Sequence, residues 1–125
     1  MQWDASAHGG FSTVETWLPL AEDYRTVNVE AEQADPHSML TLYKHVIELR
    51  RSDEALTLGD YLAIDTPKGV FAYVRGGKYT IALNFTDEIQ HLNFGGEILI
   101  STHGDRRGPV ITLELRPNEG VILRP

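Results

Sequence analysis

One stretch restricts the fold of this chain more than any other. Between Asp35 and Ser52 the apolar residues Met39, Leu40, Leu42, Tyr43, Val46, Ile47 and Leu49 recur at helical spacing. At about 100° per residue they spread over roughly half the circumference, whereas an ordinary surface helix shows a stripe about 100° wide. Thr41, Lys44, His45 and Glu48 hold the opposite side. Asp35 is a good N-cap, because its carboxylate can accept from the unpaired amides of a first turn. Pro36 suits the first helical position, where no amide hydrogen is needed, and Arg50 and Arg51 complement the negative end of the dipole. These signals predict a helix over 35–52, about 24 Å long at 1.5 Å per residue. An apolar arc this wide needs cover from two directions. The helix is therefore expected to be a joint, packed on one flank by the residues that follow and on the other by a body outside this chain.

After the helix the hydrophobic period changes from 3.6 to 2. Ile111-Thr112-Leu113-Glu114-Leu115-Arg116 is the clearest case, alternating strictly, and other runs follow at short spacing at Tyr61–Ile64, Val70–Arg75, Tyr79–Phe85, Ile89–Phe94, Glu97–Ser101 and Gly120–Leu123. Pro67-Lys68-Gly69, Gly76-Gly77 and Gly95-Gly96 fall between runs as turns, and Gly104 to Pro109 reads as a longer basic loop. Residues 54–125 are thus expected to form a small antiparallel β-sandwich of about seven strands with Greek-key connections. Its expected core includes Phe71, Tyr73, Ile81, Leu83, Leu113 and Leu115.

Residues 1–34 show no sustained period. Gly9-Gly10 and Pro19 interrupt every candidate, yet both tryptophans, Trp3 and Trp17, lie here with Phe11 and Leu18. An irregular segment of this length in a compact domain is usually functional or lies on another surface. Only Tyr24 to Val29 reads as a short extended piece.

With 42% hydrophobic and 23% charged residues in 125, the chain can bury a core of its own. Residues 1–54 carry ten acids and four bases and residues 55–125 eight and seven, for a net charge of −7. That balance leaves no basic footprint for nucleic acid. No apolar run is long enough for a membrane span, and no secretion signal opens the chain. The absence of cysteine excludes disulfides and fits a reducing compartment, so a cytoplasmic location is expected.

Catalytic and metal patterns are weak. His8, His37, His45, His91 and His103 contain no metalloprotease spacing; only His91 and His103 are placed to meet across neighbouring strands, and without a third ligand no metal is expected. Glu30 and Glu32, and Asp87 with Glu88, are paired acids without a pocket around them, although paired carboxylates are the apparatus of glycoside hydrolysis. Asn84-Phe85-Thr86 matches a glycosylation acceptor, Gly76-Gly77-Lys78 lacks the frame of a phosphate loop, and no serine sits in a nucleophile elbow. No catalytic residue and no cofactor is assigned.

The same segments resemble the C-terminal end of α-glucosidases in the α-amylase superfamily (glycoside hydrolase family 13), in the subgroup of oligo-1,6-glucosidase, dextran glucosidase and trehalose-synthase-like enzymes. Met1-Gln2-Trp3-Asp4 and Gly10-Phe11-Ser12-Thr13 resemble the loop after the eighth barrel strand, continued by Trp17-Leu18-Pro19-Leu20, Tyr24-Arg25 and Val27-Asn28-Val29-Glu30. Asp35-Pro36-His37-Ser38 and Tyr43 through Arg50 resemble the final barrel helix. Ala55-Leu56, Gly59-Asp60-Tyr61, Phe71 through Arg75, Asn84-Phe85-Thr86 and Leu115-Arg116-Pro117 resemble the appended sandwich. The resemblance implies a leftover piece of a (β/α)₈ barrel followed by the C-terminal domain, without the catalytic aspartates and glutamate that lie upstream in the family. It also implies that Gln2 and Trp3 lie beside the sugar site, that oligosaccharide is met only in the full-length context, and that the chain alone is inactive. The partner on Met39, Leu40, Leu42, Tyr43, Val46, Ile47 and Leu49 is then the missing barrel or, for the isolated chain, a second copy. A free-standing β-sandwich that binds carbohydrate or protein is the alternative, and would show a row of coplanar exposed aromatics on one sheet face.

Overall fold

The computed structural model describes Met1 to Pro125. Its elements are α1 (Val29–Ala34), α2 (Met39–Ser52), α3 (Glu54–Thr57) and eight strands: β1 (Tyr61–Ile64), β2 (Val70–Arg75), β3 (Tyr79–Asn84), β4 (Gln90–Leu92), β5 (Gly96–Ser101), β6 (Gly108–Val110), β7 (Leu113–Leu115) and β8 (Gly120–Arg124). The chain divides into two compact units, Met1–Lys44 and His45–Pro125. No helix is long and apolar enough to cross a membrane.

In the C-terminal unit, six strands in the order β1-β2-β3-β8-β5-β6 face a two-stranded sheet of β4 and β7, every pair antiparallel. The sandwich core lies between the sheets. Val70, Ala72, Ala82, Ile98, Val121 and Leu123 meet Leu92, Leu113 and Leu115. A second cluster joins Tyr79 and Ile81 to Leu56 of α3, flanked by Tyr73, Leu83 and Leu49 of α2. Central strand β3 is therefore covered on both faces, which explains its nearly continuous run of buried residues.

The end of α2 is fixed to the sheet through α3. Asp53 caps α3 by accepting the Ala55 amide at 2.9 Å, and the same carboxylate takes the Tyr79 hydroxyl at 2.9 Å and the Lys78 ammonium. Arg50 Nη1 donates to the Leu56 carbonyl at 2.9 Å. Gly59 and Gly76 are required here: a Cβ on Gly59 would overlap the Ala55 carbonyl and the Gly76 backbone, and Gly76 has φ +56°.

Five expectations need correction. Helix α2 begins at Met39, because Ser38 rather than Asp35 caps it, accepting the Thr41 amide at 3.1 Å. Asp35 instead closes a turn by accepting the His37 amide at 2.8 Å, as suits an extended residue before proline. The 1–34 segment is not wholly irregular: residues 24–28 form turns and a bend, not an extended piece, and Val29 begins α1, whose N-cap Asn28 accepts the Ala31 amide at 2.9 Å. The β7 strand is shorter than its alternation, with Ile111 exposed, because the chain crosses from β6 in one sheet to β7 in the other within two residues. Finally, Phe71 faces outward beside Tyr73 rather than into the core, and β6 occupies part of the expected basic loop. Pro109 is tolerated there because β6 is an edge strand.

Candidate functional site

Gln2 and Trp3 are held from both sides by the backbone. Trp3 donates its amide to the Gly9 carbonyl at 2.7 Å, and its own carbonyl accepts the Glu30 amide at 2.9 Å. The Gln2 carbonyl accepts the Val29 amide at 3.1 Å. Residues 2–3 thus bridge the turn Ala7–Gly10 and the first turn of α1. Asp4 accepts the Ser6 amide at 2.8 Å and closes the turn's near side. The Trp3 indole remains 50% exposed although its backbone is fully tied, while Gln2 is half-buried.

The helical surface is divided. No residue of α2 is buried. Leu40, Leu42, Val46 and Leu49 are half-buried, and Leu49 packs on the outer cluster of the sandwich. Met39, Tyr43 and Ile47, four residues apart and so aligned along one face, stay 60%, 61% and 45% exposed. The wide arc found in the sequence is therefore only partly covered.

Among the other candidates, His91 stands 3.9 Å from Glu114 on the exposed face of β4–β7. No group of three histidines or carboxylates is placed to hold a metal ion. Glu30 and Glu32 belong to α1, where Glu32 accepts the Leu40 amide at 3.0 Å, a structural use. Asp87 accepts from Asn118 at 3.1 Å. Asn84 is buried, with its amide nitrogen donating to the Glu88 and Arg116 carbonyls at 2.8 and 2.9 Å, and its oxygen accepting from Thr86. A sugar acceptor needs that nitrogen free, so Asn84 serves the β-turn. Tyr61, Tyr73 and Phe71 do cluster on the outer sheet face, but successive rings are tilted by 34° and 45° and pack on one another. They do not form the coplanar row of a free-standing sugar-binding face.

Sequence reading missed the main electrostatic centre, Glu119. Its side chain is wholly buried and accepts from Ser101 Oγ (2.6 Å), Arg106 Nε and Nη2 (2.9 and 2.7 Å), and Arg116 Nη2 and backbone amide (2.8 and 2.9 Å). Arg116 also grips Asp105 in a bidentate pair at 2.6 and 2.7 Å. Burial alone raises the Glu119 carboxyl pKa, but the hydrogen bonds from Arg116, Ser101 and the Arg116 amide, with the Arg106 charge, outweigh it and hold the group at about 2. The cluster ties the β5–β6 loop to the β7–β8 turn. One signal was available: Glu119 continues the period-2 row of Val121 and Leu123, which places it on the inner face.

Comparison with known proteins extends over nearly the whole chain. The alpha amylase catalytic-domain family matches residues 1–59. The chain is 32% identical to oligo-1,6-glucosidase of Bacillus cereus and 33% identical to trehalose-6-phosphate hydrolase of Bacillus subtilis, in each case over 99% of its own length and 24% of the relative's. Trehalulose synthase from Pseudomonas mesoacidophila MX-45 superposes with a TM-score of 0.84 at 31% identity, over 98% of this chain and 24% of that one. The chain thus spans about a quarter of the length of the relatives it matches, in their C-terminal part. Over residues 1–59 the chain thus matches the alpha amylase family model, and along its whole length it is similar to the C-terminal part of these relatives.

Proposed function

We propose that this chain is the non-catalytic C-terminal part of a retaining α-glucosidase that cleaves terminal α-glucosidic bonds of oligosaccharides through a glycosyl-enzyme intermediate. Its own task is to cap and stabilise the barrel through α2 and the sandwich, in the cytoplasm. Residues 1–34 are a barrel loop, 35–52 the last barrel helix and 54–125 the C-terminal domain, with Gln2 and Trp3 at the border of the sugar site. The observation that carries this reading is the Met39-Tyr43-Ile47 stripe, apolar and uncovered on a helix of a family built around barrels. Contiguous exposed apolar surface of this kind marks an interface.

The test is reconstitution. The Bacillus cereus oligo-1,6-glucosidase, stripped of the quarter this chain matches, is co-expressed with the 125-residue chain. Isomaltose hydrolysis should appear only in the mixture, and neither part should act alone. Activity of this chain by itself, or failure of the two parts to co-purify, overturns the proposal.

A further inference from the structure

We infer that the left-handed turn His8-Gly9-Gly10 is a positioning device for the Trp3 indole, and that it depends on Gly10. Three successive residues lie at φ +58°, +64° and +70°. L-residues visit this region singly, and a run of three that includes a histidine is held by its surroundings. Those surroundings are specific. The Gly9 carbonyl, turned inward by this conformation, is the acceptor for the Trp3 amide, and Gly9 itself is buried. A Cβ on Gly10 would fall on the Asp4 carboxylate, the group that Ser6 holds over the turn. The turn therefore needs glycine at position 10 for its φ, and a Cβ there would also push the Asp4 carboxylate from its place.

What the turn fixes is the backbone of an aromatic residue that stays half exposed. Trp17 shows the contrast: it is 93% exposed and makes no backbone–backbone hydrogen bond. Trp3 is tied at both its amide and its carbonyl, and still offers half its surface. Strain stored next to a fixed, solvent-facing aromatic is the arrangement of a contact residue. The occupant that suits an indole face is the apolar face of a pyranose ring; this ligand, unlike the positioning, rests on the function proposed above.

The full chain carrying Trp17→Phe leaves Trp3 as the sole indole reporter. Gly10→Ala should red-shift Trp3 emission, lower its anisotropy and move its indole N–H resonance, while sandwich amide resonances stay in place. His8→Gly should leave the Trp3 signals unchanged, since it removes the side chain without blocking the turn. Gly77→Ala, at a left-handed glycine with open space around it, is the control and should leave them unchanged. Should Gly10→Ala unfold the segment, Asp4→Ala frees the same tether without adding a Cβ and should shift Trp3 in the same direction. Unaltered Trp3 signals in both Gly10→Ala and Asp4→Ala, or an equal shift in Gly77→Ala, overturn the positioning. In the reconstituted enzyme, isomaltose that leaves Trp3 emission unchanged overturns the pyranose assignment alone.

Discussion

The two units of this chain are held together by different means. In His45–Pro125, Leu113, Leu115, Val121 and Leu123 lie in a closed core between sheets. In Met1–Lys44 no apolar side chain is buried; the buried residues are Gly9, Asn28 and Ser38. Order there comes from hydrogen bonds: Trp3 to Gly9, Gln2 to Val29, Asn28 to Ala31 and Tyr24, Ser38 to Glu32 at 2.6 Å. The difference is instructive because both regions contain aromatic and aliphatic residues in quantity. Apolar content makes a core only where the backbone turns it toward itself. Net hydrogen-bond contributions are about 1 kcal/mol each, so a unit without apolar burial has a small stability of its own.

The comparison breaks most directly in the sandwich core and at Glu119. Leu115→Ala should cost about 2–5 kcal/mol, a lost side chain plus a cavity between well-packed sheets. Glu119→Ala should cost about 3–5 kcal/mol, since it leaves Arg106 and Arg116 without their buried counter-charge. Both are read from urea unfolding followed by far-UV circular dichroism. The two tryptophans lie only in Met1–Lys44, so indole fluorescence follows that unit separately. If the units differ as described, the indole transition precedes the dichroism transition; coincident curves would make the chain one cooperative body and end the comparison.

Glu119 also sets a pH signature. Its folded pKa, about 2, lies below the ordinary 4.5, so between these values the unfolded chain binds a proton that the folded chain does not. The Glu119 contribution is therefore complete above about pH 4.5 and is lost as pH falls toward 2. Stability measured across that window should fall less steeply in Glu119→Gln than in the parent. Equal slopes would show that the carboxylate is not the group responsible.

How much of this was legible beforehand depends on which interactions set each element. Strands β1 and β2 match the runs expected at Tyr61–Ile64 and Val70–Arg75 to the residue, because short apolar, strand-forming runs and the turns that bound them act locally. What covers α2 is not local, and the width of its arc did not say which residues its own chain would leave exposed, namely Met39, Tyr43 and Ile47. The start of α2 was misplaced because Asp35 and Ser38 are both competent caps, and the choice is made by α1, whose Glu32 reaches the Leu40 amide. Phe71 was misassigned because β2 is apolar on both faces, so periodicity could not say which one met the second sheet. Glu119 was overlooked because its partners Ser101, Arg106 and Arg116 come from three connections whose meeting only the fold creates. The backbone grip on Trp3 was hidden for the same reason.

The helical stripe sharpens the comparison in the isolated chain. Exposed apolar residues at positions 39, 43 and 47 make a self-complementary ridge, and two copies related by a two-fold axis would cover it. Light scattering after size exclusion should find a dimer at micromolar concentration. Ile47→Glu should raise its dissociation constant at least tenfold, about 1.4 kcal/mol, without moving the dichroism transition. A tight monomer at low concentration would count against α2 as an unfinished interface.

The smallest effect is the most discriminating. Trp17→Ala removes the largest side chain type in proteins, yet should change stability by no more than about 0.5 kcal/mol, because the residue is almost fully exposed and anchors nothing. A truncation of smaller volume at Leu115 should cost several times more. The ratio of the two compares the units with size working against the expected answer. If Trp17→Ala destabilised the chain by 2 kcal/mol or more, the N-terminal unit would possess a core after all. Its aromatics would then be explained by packing within the chain, and the case for an outside body covering them would fail.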